Sequence, residues 1–177
     1  EAKADHWDKL AYQAFVSLEE ARPDDRLQYR LGYMALRGIG TNTSPETAYF
    51  YWKKAVKLQN KDALYALGKL CLDPAFPGFS PQDGERYLWG SWSKHQNLQA
   101  AYLLGKAYAQ GTVLLRNMEK ALELLNTVAE TGNPYAQYLL GKIYYWGNGV
   151  EQDREKGLEY IRQAAEQDHP GAVRFLE

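Results

Sequence analysis

Small and apolar residues recur along this chain at a period of 36 to 37 positions, and within each period they follow helical spacing. Leu31-Gly32 returns as Leu67-Gly68, Leu104-Gly105 and Leu140-Gly141, at separations of 36, 37 and 36 residues. Four residues before each Leu stand Leu27, Ala63, Ala100 and Ala136, with Ala172 continuing the series; three after each Gly stand Ala35, Cys71, Tyr108 and Tyr144. Offsets of four, one and three place these residues on one face of a helix. Glycine inside a helix costs about 1 kcal/mol against alanine. A glycine repeated in register therefore predicts a neighbouring helix crossing at close range.

Glycine-rich turns follow at Gly38-Ile39-Gly40 and Gly147-Asn148-Gly149, and Gly111 keeps the first position of the third. The second unit departs, with Asp73-Pro74-Ala75-Phe76-Pro77-Gly78-Phe79, a loop of different shape stiffened by two prolines. A second helix then restarts behind Ser44, Ser80, Asn117 and Asp153, all good N-cap types, again 36, 37 and 36 residues apart. Pro45 and Pro81 suit the first helical position, and Glu46, Asp83, Glu119 and Glu155 favour the helix dipole. Gln59-Asn60, Gly132-Asn133 and Asp168-His169 read as stops.

The pattern predicts an all-α, right-handed solenoid of four helix pairs with terminal half-repeats. Residues 1–26 read as an N-terminal capping helix, with Trp7, Leu10, Ala11, Ala14, Phe15 and Leu18 as its apolar stripe. Repeats then span 27–62, 63–99, 100–135 and 136–171, and 172–177 starts a further or capping helix. The extra residue of the second unit is expected in the turn near His95-Gln96-Asn97, since inside a helix it would rotate the apolar face by about 100 degrees. Glu19-Glu20 and Asp24-Asp25 read as solvated charges.

The 177 residues are enough for one domain with a sizeable core. Twenty-one basic residues against 22 acidic leave a net charge of −1, so no global field favours nucleic acid or an acidic membrane. Cys71 is the only cysteine. It carries no mark of an oxidising compartment, which leans toward the cytoplasm without assigning a location. No apolar run approaches the roughly 20 residues of a membrane span. The chain opens at Glu1 without Met and reads as a fragment, so a lost leader stays open.

These units resemble the Sel1-like repeats, relatives of tetratricopeptide repeats. The fourth matches almost throughout: Ala136, Leu140-Gly141, Tyr144, Gly147-Asn148-Gly149-Val150, Asp153, Lys156 and Ala164-Ala165, with Gly157 in place of Ala. The first and third match well and the second poorly. The resemblance implies a non-enzymatic scaffold that recruits a protein or peptide, as in bacterial envelope, secretion and signalling systems and in degradation complexes of the endoplasmic reticulum. A cysteine-rich branch linked to β-lactam binding is not matched, because Cys71 stands alone. The units also resemble repeat segments of larger bacterial proteins, DNA-mobilisation relaxases among them.

In the tetratricopeptide relatives the first helices line a concave groove. Carried across, this implies a partner-binding surface of Tyr29, Tyr33, Arg37, Tyr65, Lys69, Tyr102, Lys106, Tyr138, Lys142, Tyr145 and Trp146, an aromatic ladder beside a column of lysines. It suits a peptide with apolar or aromatic anchors and some acidic character. Packing between repeats is the competing reading of the tyrosines, and a solvated face that of the lysines. Polyanion binding along Lys69, Lys106 and Lys142 is a further alternative. Trp52 and Trp146 would be contact residues if exposed, and Phe79, Trp89 and Trp92 make the second unit unusually aromatic.

No catalytic residue, metal site or cofactor is expected. Ser91-Trp92-Ser93-Lys94 has the serine–lysine spacing of penicillin-recognising enzymes but lacks their partner motifs. His6, His95 and His169 lack metal spacing. Cys71 takes a core position. Neither the partner nor the oligomeric state follows from the sequence.

Overall fold

The computed structural model describes residues 2–177. Among them are ten helices and no strand: α1 (Ala2–Ala21), α2 (Asp25–Arg37), α3 (Pro45–Lys57), α4 (Lys61–Cys71), α5 (Pro81–His95), α6 (Leu98–Gln110), α7 (Met118–Glu130), α8 (Pro134–Trp146), α9 (Arg154–Ala165) and α10 (Pro170–Leu176). The chain divides into two compact units, one ending at Gln96 and the other spanning Asn97–Glu177. The first holds the pairs α2/α3 and α4/α5, the second α6/α7 and α8/α9.

The repeated glycines mark the crossing inside each pair. A Cβ placed on Gly32, Gly68, Gly105 or Gly141 would lie 2.5–2.8 Å from a side-chain atom of Trp52, Leu88, Leu125 or Ile161 respectively. These partners are again spaced 36, 37 and 36 residues apart. All four are buried, as are Leu31, Leu67, Leu104 and Leu140 beside the glycines. Burying each such side chain stabilises the fold by about 1.5–3 kcal/mol. In the fourth pair the opposing position is Gly157 where the first and third pairs have Ala48 and Ala121. A Cβ there would sit 2.6 Å from the Tyr145 backbone nitrogen and 2.8 Å from the Gly141 carbonyl oxygen, so the α8 and α9 backbones approach directly.

Two periodic series of caps fix the helix starts. Ser44, Ser80, Asn117 and Asp153 accept the amides of Thr47, Asp83, Lys120 and Lys156, as their spacing predicts. A second series begins the first helices: Asp24, Asn60, Asn97, Asn133 and His169 accept the amides of Leu27, Ala63, Ala100, Ala136 and Ala172. The pairs read from sequence as stops are therefore also starts. The residue before four of these caps is left-handed: Gln59 (φ 65°), Gln96 (φ 52°), Gly132 (φ 85°) and Asp168 (φ 58°). Three of the four carry a side chain that such backbone disfavours. The extra residue of the second repeat is taken up by the helix rather than the turn: α5 has 15 residues, against 13 in α3 and α7, the turn before Asn97 is one residue shorter, and Gln96 is the left-handed C-cap.

Each loop between paired helices is closed by the same backbone bond. The amides of Ser44, Ser80, Asn117 and Asp153 donate to the carbonyls of Ala35, Cys71, Tyr108 and Tyr144 at 2.9–3.1 Å. The irregular second loop keeps this closure, but its interior differs as expected. It buries Phe76, whose ring lies 5.6 Å from that of Tyr49. Phe79, the loop aromatic singled out in the sequence, is exposed.

α1 lies against the first pair through Ala11, Tyr12, Phe15, Val16 and Glu19, whereas Trp7, Leu10 and Leu18 of the anticipated stripe are exposed. Glu19 is buried rather than solvated. Gln28 Nε2 donates to Glu19 Oε1 at 2.8 Å, and the Lys54 ammonium pairs with the same oxygen. Burial alone would raise the Glu19 carboxyl, but these two hydrogen bonds and the Lys54 charge outweigh it and hold it below its ordinary range. Asp24 and Asp25 are also engaged, Asp24 as a cap and Asp25 accepting from Asn60 Nδ2 at 2.8 Å.

His169 is the one histidine in its cap series. Its Nδ1 accepts the Ala172 amide at 3.2 Å, which requires a neutral ring. Burial holds the imidazole below its ordinary value, and the Lys142 charge adds to this. The native state thus favours the uncharged ring, and the stabilisation is complete above the unfolded value of about 6.5 and lost as pH falls through the lowered native value.

Urea denaturation of Gly157→Ala should show a loss of about 2–3 kcal/mol, because the methyl meets backbone atoms and its helix propensity offsets only part of the clash. The same measurement on Gln96→Gly should show a gain of about 0.5–1 kcal/mol from relief of the left-handed strain. Amide-exchange protection in α10, corrected for intrinsic rates, should fall several-fold between pH 7.5 and 5.5. His169→Asn, which restores the cap type of Asn133, should flatten that profile.

Candidate functional site

The residues expected to face a partner lie on the first helices of both units. In the first unit Tyr29 and Tyr65 are half-buried, while Tyr33, Arg37 and Lys69 are exposed. Tyr29 stacks on Trp52 with ring centroids 6.3 Å apart. The Trp52 Nε1 donates to the Tyr29 carbonyl at 3.0 Å, so this tryptophan is a buried strut rather than a contact residue. Burial raises the phenol pKa of both Tyr29 and Tyr65, with Asp62 adding to the shift of Tyr29. A cleft of about 400 Å³ opens beside Tyr29, rimmed by Asp25, Arg26, Lys61 and Asp62. Its charges are balanced, and it selects no sign.

The second unit is different. Tyr102 and Tyr138 are half-buried at positions equivalent to Tyr29 and Tyr65. Tyr102 meets the edge of Tyr135 at 6.5 Å, and both Tyr135 and Tyr138 contact the His169 ring, at 4.9 and 4.6 Å. Burial raises the Tyr102 phenol. The ladder tyrosines here therefore pack on the following helix start while keeping part of each ring in solvent. Lys142 stands over the Tyr138 ring at 4.7 Å, and Lys106 is half-buried one repeat earlier. Tyr145 touches Trp146 at 4.8 Å and Phe175 at 5.1 Å edge to face, leaving Trp146 55% exposed.

Between α6 and α8 lies a cleft of about 370 Å³ lined by Ala109, Gln110, Arg116, Leu139, Lys142, Ile143, Trp146 and Asn148. Its floor is apolar and its rim holds two cations and no carboxylate. Sequence reasoning named Lys142 and Trp146 but missed Arg116, which sits in the loop after α6, outside the helical frame. Exposed Tyr135 was also missed, because the corresponding positions hold Arg26, Asp62 and Gln99 and give no periodic signal. A larger open cleft of about 750 Å³ lies beside Tyr144, where Glu151, Asp153 and Glu155 mingle with Arg154 and Lys156. Lys156 lies over the Tyr144 ring at 3.9 Å, and its hydrogen bond to Tyr144 is the main cause that raises its pKa.

The candidate nucleophiles are shut away. Ser91 is fully buried and its Oγ has no hydrogen-bond partner, whereas Lys94 is exposed. Ser91 stands at the position of Ala55, Val128 and Ala164 and packs as they do. Burial, reinforced by Asp83, pushes the Cys71 thiol up to about 11, so it stays protonated within the core. His6 and His95 are exposed, and no group of three His, Cys, Asp or Glu side chains among the described residues could hold a metal ion. No described helix is long and apolar enough to cross a membrane.

The chain matches the Sel1 repeat family over residues 26–60, 98–133 and 134–169. The unmatched stretch contains the irregular second repeat. No curated protein matches in sequence. In structure the chain is similar to a Sel1 repeat protein from Oxalobacter formigenes, with a TM-score of 0.76 at 24% identity, covering 96% of this chain and 68% of that one. It is also similar to a protective antigen of uropathogenic Escherichia coli that displays an SLR fold, with a TM-score of 0.78 at 21% identity, covering 96% of this chain but only 36% of the antigen. MamA aligns with a TM-score of 0.67 at 22% identity over 92% of this chain and 90% of its own. These likenesses concern the fold. Periodic helix pairs, glycine crossings and three matched repeats lead to one conclusion: the chain belongs to the Sel1 repeat family.

Proposed function

We propose that the chain is a non-enzymatic binding module that holds a protein or peptide partner on its first-helix face, through Tyr29, Tyr33, Arg37, Tyr65 and Lys69 in one unit and Tyr102, Lys106, Tyr138, Lys142, Tyr145 and Trp146 in the other. Sel1 repeats generally serve as protein–protein interaction modules, and the family is typically non-enzymatic. One observation carries the reading to this surface. The helices α6, α8 and α10 contain Lys106, Lys142 and Arg174 and no Asp or Glu, beside aromatic rings that are only partly covered. A face of one charge sign with half-exposed aromatics combines the two features that make protein contacts selective and strong. The burial of Ser91 and Cys71 supports binding over nucleophilic catalysis.

A peptide array followed by titration of the strongest binders tests this. Tyr102→Ala combined with Lys106→Glu should weaken those binders about tenfold or more, with circular dichroism confirming the fold. Lys106→Glu alone, which leaves the Tyr102–Tyr135 contact intact, should give part of the loss. Unchanged affinity in both folded variants would remove the first-helix assignment. A steep fall of binding with salt for any polyanion, irrespective of sequence, would favour the lysine column as an anion track instead.

A further inference from the structure

We infer that the cleft between α6 and α8 is the pocket that sets specificity, and that it takes an acidic side chain of a peptide partner together with a large apolar or aromatic neighbour. The inference rests on the binding-module reading and deepens it. Its basis is charge complementarity in a site of mixed chemistry. Arg116 and Lys142 line the cleft, and neither forms a salt bridge among the described residues. The carboxylates of this unit lie in α7 and α9, in the loops before and after α9, and at Glu177 beyond α10, with none on α6, α8 or α10. Two like charges left unpaired at one cleft repel each other and gain most from an incoming anion.

Both cations are placed before any ligand arrives. Lys142 rests over the Tyr138 ring at 4.7 Å. Arg116 lies against the turn at Gly149, where an added Cβ would come within 2.7 Å of its Nη2. Little side-chain freedom is then lost on binding. Leu139 and Ile143 supply an apolar floor and Trp146 an exposed aromatic wall braced by Tyr145 and Phe175. The volume of about 370 Å³ is at the lower end of the roughly 300–1,000 Å³ found for ligand clefts, which suits a short peptide segment rather than a folded surface. Two other clefts differ in charge. Those beside Tyr29 and beside Tyr144 carry both signs of charge.

A phage-displayed library of random 12-residue peptides, selected in parallel on the chain and on Arg116→Glu/Lys142→Glu, tests the assignment. Circular dichroism checks the folding of the variant. Enriched sequences on the unaltered chain should place Asp or Glu beside Phe, Trp or Leu. A synthetic copy of the best should bind the variant at least tenfold more weakly and Trp146→Ala several-fold more weakly, and should shift the Lys142 amide and Trp146 indole resonances. Peptides that enrich equally on both proteins, or that lack acidic residues, overturn the pocket and leave the binding module standing. Enrichment on neither protein overturns the module as well. Inorganic tripolyphosphate that displaces the peptide with equal affinity would mark a simple anion site and overturn the peptide assignment.

Discussion

Within every helix pair a glycine on the first helix faces a large side chain on the second, and the absent Cβ is the space that side chain fills. Trp52, Leu88, Leu125 and Ile161 enter at Gly32, Gly68, Gly105 and Gly141. Once that crossing is set, the rest of the repeat has little freedom. The same face of the first helix buries its Leu, the loop closes with the same amide-to-carbonyl bond in every pair, and the next helix starts at a capping side chain. Even the second loop, with its two prolines and its inserted Phe76, ends on that bond. The geometry at both ends of the loop is dictated by the crossing, and only the middle is left to vary.

The crossing also accounts for what was legible in the sequence. Leu-Gly pairs and the Ser44, Ser80, Asn117 and Asp153 caps repeat at a fixed period, so periodicity exposes them. The second cap series was less visible because Asn60, Asn133 and His169 follow stop-like residues and belong to the end of one helix and the start of the next. Glu19 was misread because two adjacent carboxylates, Glu19-Glu20, near the end of a helix look solvated. Its burial depends on Lys54 and Gln28, which lie far along the chain and come close only when α1 docks. Arg116 was missed for a related reason, since loop residues carry no helical phase.

The same logic separates packing from recognition. Residues on the crossing face are spent on holding the repeat together and vary little in kind from unit to unit. The ladder tyrosines are intermediate. Tyr29 leans on the Trp52 strut, and Tyr138 on the start of α10, and each keeps part of its ring in solvent. Half-burial gives a contact residue rigidity that a free side chain lacks, so packing and binding are not exclusive roles at these positions. Differences between repeats then fall on the residues around them. The first unit surrounds its tyrosine with both signs of charge. The second offers Arg116, Lys142 and Trp146 over an apolar floor.

The glycine crossing is the claim on which this account stands, and a nuclear Overhauser spectrum reads it directly. The α-protons of Gly32, Gly68, Gly105 and Gly141 should each show strong cross-peaks to the side chain of Trp52, Leu88, Leu125 and Ile161 respectively, all four with similar intensity. Absence of these cross-peaks in a folded sample, or cross-peaks to different residues in one repeat than in the next, would contradict it.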